Sequence, residues 1–250
     1  MSFWLRSRRA LARAWNVPLG HSQDRYFDAL KRCVRPGARW LDIGCGRQVV
    51  PSWAAPEEAQ RALVASARCL IGMDVDRALY EHPLVQHRVM GWGDQLPFAD
   101  GSLDLITANM VVEHLKDPAR VFAEAWRALR PGGVFLFHTP NRLNPYVMAA
   151  RFTPEVLKKK LVRMLDERDE ADTFKTYYRA NSTKRIESLA RETRFRAVET
   201  SIGGSVGQFQ DMGPLAVLEL PFLKLLSVPP FQRLDFTIIA VLEKPKQATA

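Results

Sequence analysis

Cysteine is scarce in this chain: Cys33, Cys45 and Cys69 are the only three among 250 residues. Three scattered thiols cannot build a disulfide framework, and they lack the paired spacing of a zinc site. The chain therefore reads as one that folds in a reducing, cytoplasmic setting. Long apolar runs are missing as well. The most apolar stretch, Gly213 to Phe231, is interrupted by Glu219, Lys224 and internal prolines, which leaves no segment of about 18 uninterrupted apolar residues and no expected transmembrane helix. Internal repeats and low-complexity tracts are absent, which excludes solenoid and fibrous architectures. Acidic residues are nearly missing from the start of the chain. Residues 1–35 set Asp24 and Asp28 against Arg6, Arg8, Arg9, Arg13, Arg25, Lys31, Arg32 and Arg35, a local excess of +6 within an overall +9.

An uncompensated basic segment suits nucleic acid, an anionic lipid surface or an acidic substrate. Phe3, Trp4 and Trp15 interleave with the arginines, and that mixture leans toward peripheral contact with a membrane surface. The plainer alternative is an amphipathic helix packed on the domain with its arginines in water. Nucleic acid is disfavoured because no RNA-binding module is appended. No feature specifies an oligomeric state.

What is present is a regular alternation of short apolar runs and helical periodicity, the pattern of βαβ units. The spacing predicts a helix over Asp24–Cys33, then strands at Arg39–Ile43, Cys69–Met73, Gln86–Met90, Leu103–Ala108, Val134–His138, Ala197–Ile202 and Phe236–Leu242. Helices follow at Pro118–Leu129, with Asp117 as N-cap and Pro118 at the first position, and at Ser182–Thr193. Residues 142–180 read as helical and charged, with an amphipathic segment at Phe152–Leu165.

The chemistry is concentrated where strands end. Trp40-Leu41-Asp42-Ile43 runs into Gly44-Cys45-Gly46, and Ile71-Gly72-Met73 ends in Asp74. Glycines after a strand let a ligand approach the backbone closely. Asp42 would repel a pyrophosphate and suits a cationic ligand; Val49 also stands where a dinucleotide fingerprint has its third glycine. A nicotinamide-dependent oxidoreductase is thereby disfavoured. In an open parallel sheet these residues, with Gly93-Asp94 and Asn109, share the carboxyl edge.

These motifs, with Leu96-Pro97-Phe98-Ala99-Asp100-Gly101-Ser102-Leu103-Asp104 and Leu129-Arg130-Pro131-Gly132-Gly133, resemble the class I S-adenosylmethionine-dependent methyltransferases over residues 37–141. The resemblance implies an α/β fold: a Rossmann-like, seven-stranded, mostly parallel sheet with helices on both faces and the last strand antiparallel. It implies a single domain over 1–250, made of a basic N-terminal segment (1–36), the cofactor-binding core (37–141) and substrate-side insertions (142–180 and 204–233). S-adenosyl-L-methionine would be the cofactor and a small molecule, apolar or lipid-linked, the acceptor. Carried over by position, Gly44 and Gly46 accommodate the methionine part and Asp42 orients its amino group. Asp74 accepts from the ribose hydroxyls, Asp94 accepts from the adenine amino group, Val75 and Gln95 line adenine, and Asn109 stands near the methionine end. The general-base candidates are His138 and the Glu113-His114 pair, with His114 as its base. Related quinone O-methyltransferases place a carboxylate three residues before their Glu-His pair; here that position is Met110, so no metal is expected. Two departures stand out: Gln48 replaces a frequent third glycine, and the interval from Asp42 to Asp74 is longer than usual, through Val49–Ser66, which delays the next helix. A silent S-adenosylmethionine-binding scaffold and an RNA methyltransferase are the alternatives.

Overall fold

The computed structural model describes residues 3–152, 174–204, 207, 209 and 212–246. Two helices, α1 (Phe3–Ala14) and α2 (Ser22–Cys33), precede β1 (Arg39–Ile43). The chain continues through α3 (Glu57–Ser66), β2 (Cys69–Asp74), β3 (His87–Met90), β4 (Leu103–Asn109), α4 (Pro118–Ala128), β5 (Leu129–Pro140) and α5 (Pro145–Phe152). After the interval come α6 (Thr183–Glu192), β6 (Arg196–Ile202), α7 (Leu215–Leu218), α8 (Leu220–Leu226) and β7 (Thr237–Glu243). The seven strands form one sheet in the order β3-β2-β1-β4-β5-β7-β6. The first five pair in parallel, and β7 runs antiparallel to both β5 and β6. The expected fold is the observed one.

Alternation along the central strands builds a core on each face. Phe135 and Phe137 of β5 pack with Phe122 and Ala125 of α4 and with Ile186 and Leu189 of α6. Val134 and Leu136 face the other way, with Trp40, Tyr26 and Leu30 of α2 and Val64 of α3. Asp42 follows Trp40 at a spacing of two and so lies on the α2 side. Asp117 caps α4 by accepting from the Arg120 amide, and Ser182 caps α6 the same way. Asp104 anchors the opposite, amino end of the sheet, taking the Arg39 amide at 2.8 Å and the Arg130 guanidinium.

A third cluster joins α1 to α7 and α8 through Ala12, Leu220, Leu223 and Leu226, with Phe236 and Tyr146 alongside. Arg8 turns inward here: its Nε donates to the Ala216 carbonyl at 2.9 Å, beside the buried Glu219 carboxylate. Asn141, just past the carboxyl end of β5, donates its amide to Phe236 O, so this layer borders the sheet's carboxyl edge.

Two expectations need correction. Arg130–Gly133 does not lie outside β5; the strand includes it, with a register shift against β4, because Gly132 takes φ +77° and lets the chain bulge without leaving the sheet. Residues 174–180 are not helical: the Tyr177 and Tyr178 amides both donate to Glu113 O instead of to a helix of their own. Most of Phe152–Leu165 lies outside the described residues.

Candidate active site

The glycine turn and the two strand-end acids interlock. Gly44 (φ +65°) donates its amide to Met73 O at 2.7 Å, and Gly46 (φ +48°) donates to Asp74 Oδ2 at 2.9 Å. Asp74 Oδ1 accepts the Asp76 amide at 3.0 Å. One carboxylate therefore fixes the turn after β1 and the turn after β2. A Cβ at Gly44 would collide with Val111, whereas one at Gly46 would meet nothing within 4 Å. Gly44 is glycine for packing; Gly46 faces open space, where a ligand can press against the backbone.

Asp42 sits beneath this turn, 3% exposed. Thr107, its register partner on β4, donates a hydroxyl hydrogen bond at 2.5 Å and in turn accepts from the Trp40 indole at 2.7 Å. Burial pushes the Asp42 carboxyl up to about 7; the Thr107 bond opposes this and neighbouring Asp74 adds to it. A cation arriving over the turn would restore the charged form.

Asn109 ends β4 inside a second network. It exchanges amide hydrogen bonds with Gln23 of α2 at 3.2 and 2.9 Å and donates to Val49 O at 3.3 Å. His138, its register partner on β5, places Nδ1 2.9 Å from Asn109 Oδ1. Asn109 already donates to Gln23, so this oxygen accepts and His138 carries its proton on Nδ1. The ring is fully buried and stacked on Tyr26. Burial, then the nearby His21 and Arg25, lowers its pKa to about 3. The longer Val49–Ser66 interval is also accounted for: Val49 and Val50 are buried, Gln60 of α3 binds Val50 N and Ala55 O, and α3 starts only at Glu57.

Beyond β4, Glu113 is buried and pushed up to about 7 by that burial, against a 2.9 Å hydrogen bond from Thr139. His114 is partly exposed, with Nδ1 3.2 Å from Lys175 O, Nε2 3.9 Å from Glu113 Oε1, and Phe174 edge-on to the ring. Asp94 and Val75 are half-buried and Gln95 exposed, in the turns after β3 and β2.

A methyltransferase-domain family model matches residues 19–193, which takes in the glycine turn, both acids and the loop after β4. The chain belongs to the methyltransferase-domain family, the class I S-adenosylmethionine-dependent fold. A "probable S-adenosylmethionine-dependent methyltransferase" of Mycolicibacterium smegmatis is 40% identical over 118 residues, covering 45% of this chain and 41% of that protein. The ubiquinone biosynthesis O-methyltransferase of Xanthomonas campestris is 32% identical over 111 residues, 44% of this chain and 46% of that one. The chain thus spans less than half the length of the curated relatives it matches. An S-adenosylmethionine-dependent methyltransferase from Mesorhizobium loti superposes with TM-score 0.56 at 18% identity, over 87% of this chain and 96% of that one, a likeness of fold.

For a methyltransferase the donor set fits the family's cofactor. Asp42 and Asp74 are buried side by side under the glycine turn, an arrangement hostile to a pyrophosphate and suited to a sulfonium and an ammonium group. Sequence reasoning missed Gln23 and Thr107. Gln23 carries a readable signal, since it shares the apolar stripe of Tyr26, Phe27 and Leu30; Thr107 carries another, as a polar side chain between Ile106 and Ala108 in the buried part of its strand. Nearby, Lys116, Arg142, Tyr177, Tyr178, Arg179 and Arg185 line much of a cleft of about 730 Å³. Arg179 is held there by the Lys116 carbonyl at 2.6 Å and by the Tyr177 ring.

Proposed function

We propose that this chain transfers a methyl group from S-adenosylmethionine to a small-molecule acceptor, an apolar or lipid-linked one met at a membrane surface. The observation that carries the reading is the buried Asp42 beneath an open glycine turn that Asp74 clamps. The cofactor supplies an electrophilic methyl carbon already activated by its sulfonium. The protein's work is to align an acceptor with that carbon and to exclude water. Asp42 would orient the amino group at the Gly44–Gly46 turn. Asp74 retains lone pairs beyond the two amides it accepts, enough for two ribose hydroxyls. Asp94 would accept from the adenine amino group between Val75 and Gln95, and Asn109 would stand at the methionine end.

The two histidines take different parts. His138, buried and neutral, holds the Asn109 amide and is a positioning residue. His114 is reachable, and with its Nδ1 proton given to Lys175 O it offers Nε2 as the base that takes the acceptor's proton. The resulting imidazolium would lie beside Glu113. Tyr177, Tyr178 and Arg179 form the wall on which the acceptor would be read.

Calorimetric titration of S-adenosylmethionine into wild type and Asp74→Ala tests the reading. Micromolar binding lost in the variant is expected; no binding to folded wild type would refute it. Binding with no turnover across quinone, phenol and lipid acceptors would favour the silent scaffold.

A further inference from the structure

We infer that the outer face formed by α1 and α7 is a docking surface for an anionic lipid bilayer. Helical geometry sorts α1 into two faces. Arg8 and Ala12 are buried against the layer beneath, while Phe3, Arg6 and Arg13, at i, i+3 and i+10, point away from it. Phe3 is 66% exposed at the end of this outward stripe, and Trp4, 40% exposed, flanks it. Trp4 lies beside Gly213, its indole within 3.6 Å of where a Cβ would stand. The start of α1 therefore abuts the turn into α7. On α7, Ala216 is buried, which leaves Leu215 and Leu218 (i, i+3) facing out at 43% and 70% exposure.

Phe3 and Trp4 thus sit exposed at the start of α1, on or beside the stripe that carries Arg6 and Arg13, and Leu215 and Leu218 sit exposed on the adjoining α7. A domain with such a patch is selecting for something other than water. Charge decides among occupants. A second copy would bring the same arginines face to face in a chain of net charge +9, and a nucleic-acid backbone would satisfy Arg6 and Arg13 but leave Phe3 and Leu218 in water. An anionic bilayer satisfies both, with apolar side chains below the headgroups and guanidinium groups among the phosphates. The layer that carries this face also reaches Asn141 and Phe236 at the carboxyl end of β5. The surface deepens the membrane-side part of the proposed function and rests on that reading for its purpose, while its test is read without methyl transfer.

The test is co-sedimentation of the full chain with vesicles of phosphatidylcholine alone and with phosphatidylglycerol added, at low and high salt. Two double variants accompany it, Phe3→Asp with Leu218→Asp, and Arg6→Glu with Arg13→Glu; circular dichroism and S-adenosylmethionine titration report on folding and on the cofactor site separately. Binding to the anionic vesicles only, weakened tenfold or more by salt and by each double variant while both controls are unchanged, is expected. Absence of vesicle binding would overturn the proposal, as would binding that ignores both variants, self-association lost in the aspartate variant without vesicle binding, or equal retention on single-stranded RNA.

Discussion

Asp42 is asked to be buried and to be charged, and the pH dependence of the protein records that conflict. Its carboxyl titrates near 7 in the folded chain, against about 3.9 when unfolded. Between those values the folded state holds the extra proton, so the unliganded protein loses stability as pH rises from about 4 to about 7 and is flat above. Glu113, also pushed to about 7, has the same sign. Asp42→Asn is expected to raise the unliganded melting temperature at pH 8 by roughly 5 °C and to flatten the slope. It should weaken S-adenosylmethionine binding at least tenfold, and scanning fluorimetry over pH with calorimetry would show both. The histidines divide by readout. His114→Ala should lower kcat by about a hundredfold with little change in cofactor affinity. His138→Ala should weaken cofactor binding through Asn109, and a wild-type pH profile would be retained. The places of Asp42 and Asn109 at the carboxyl edge of the sheet were legible from the strand-end pattern, but their partners Thr107, Gln23 and Val49 were not. Those contacts join residues that are 60 to 86 apart in the chain.

At the scale of elements, the glycine turn and the helix caps are the places to press. Gly44→Ala meets both a left-handed φ and the Val111 side chain, so it should unfold or severely destabilise the domain. Gly46→Ala has the same backbone handedness but open space, and should cost about 1–2 kcal/mol while abolishing cofactor binding. Thermal melts and titration on both variants separate the packing glycine from the ligand-facing one. Asp117→Ala should remove about 1 kcal/mol with the α4 cap, seen as a shift in the urea midpoint without a change in slope. Element positions were readable because caps and apolar periodicity act over three or four residues. The helical expectation for 174–180 failed because the Glu113 carbonyl, some 60 residues earlier in the chain, captures two of that segment's amides.

For the molecule as a whole, a ligand that binds only the folded state must stabilise it. S-adenosylmethionine at 100 times its Kd should add about 2.7 kcal/mol, or roughly 5–10 °C in melting temperature for a chain of this size. A melting curve indifferent to the cofactor would contradict the site. The sequence by itself determined the strand order's raw material: seven apolar runs, a glycine turn, acids at strand ends and a basic, aromatic start, each a matter of neighbours in the chain. Only the tertiary structure decided that Arg8 turns inward to Glu219 while Phe3 and Leu218 face out, that His138 is sealed and neutral while His114 is reachable, and that Asp42 is a proton-holding acid. Burial and the charges that surround a group come from segments folded onto it from elsewhere, and no local pattern encodes them.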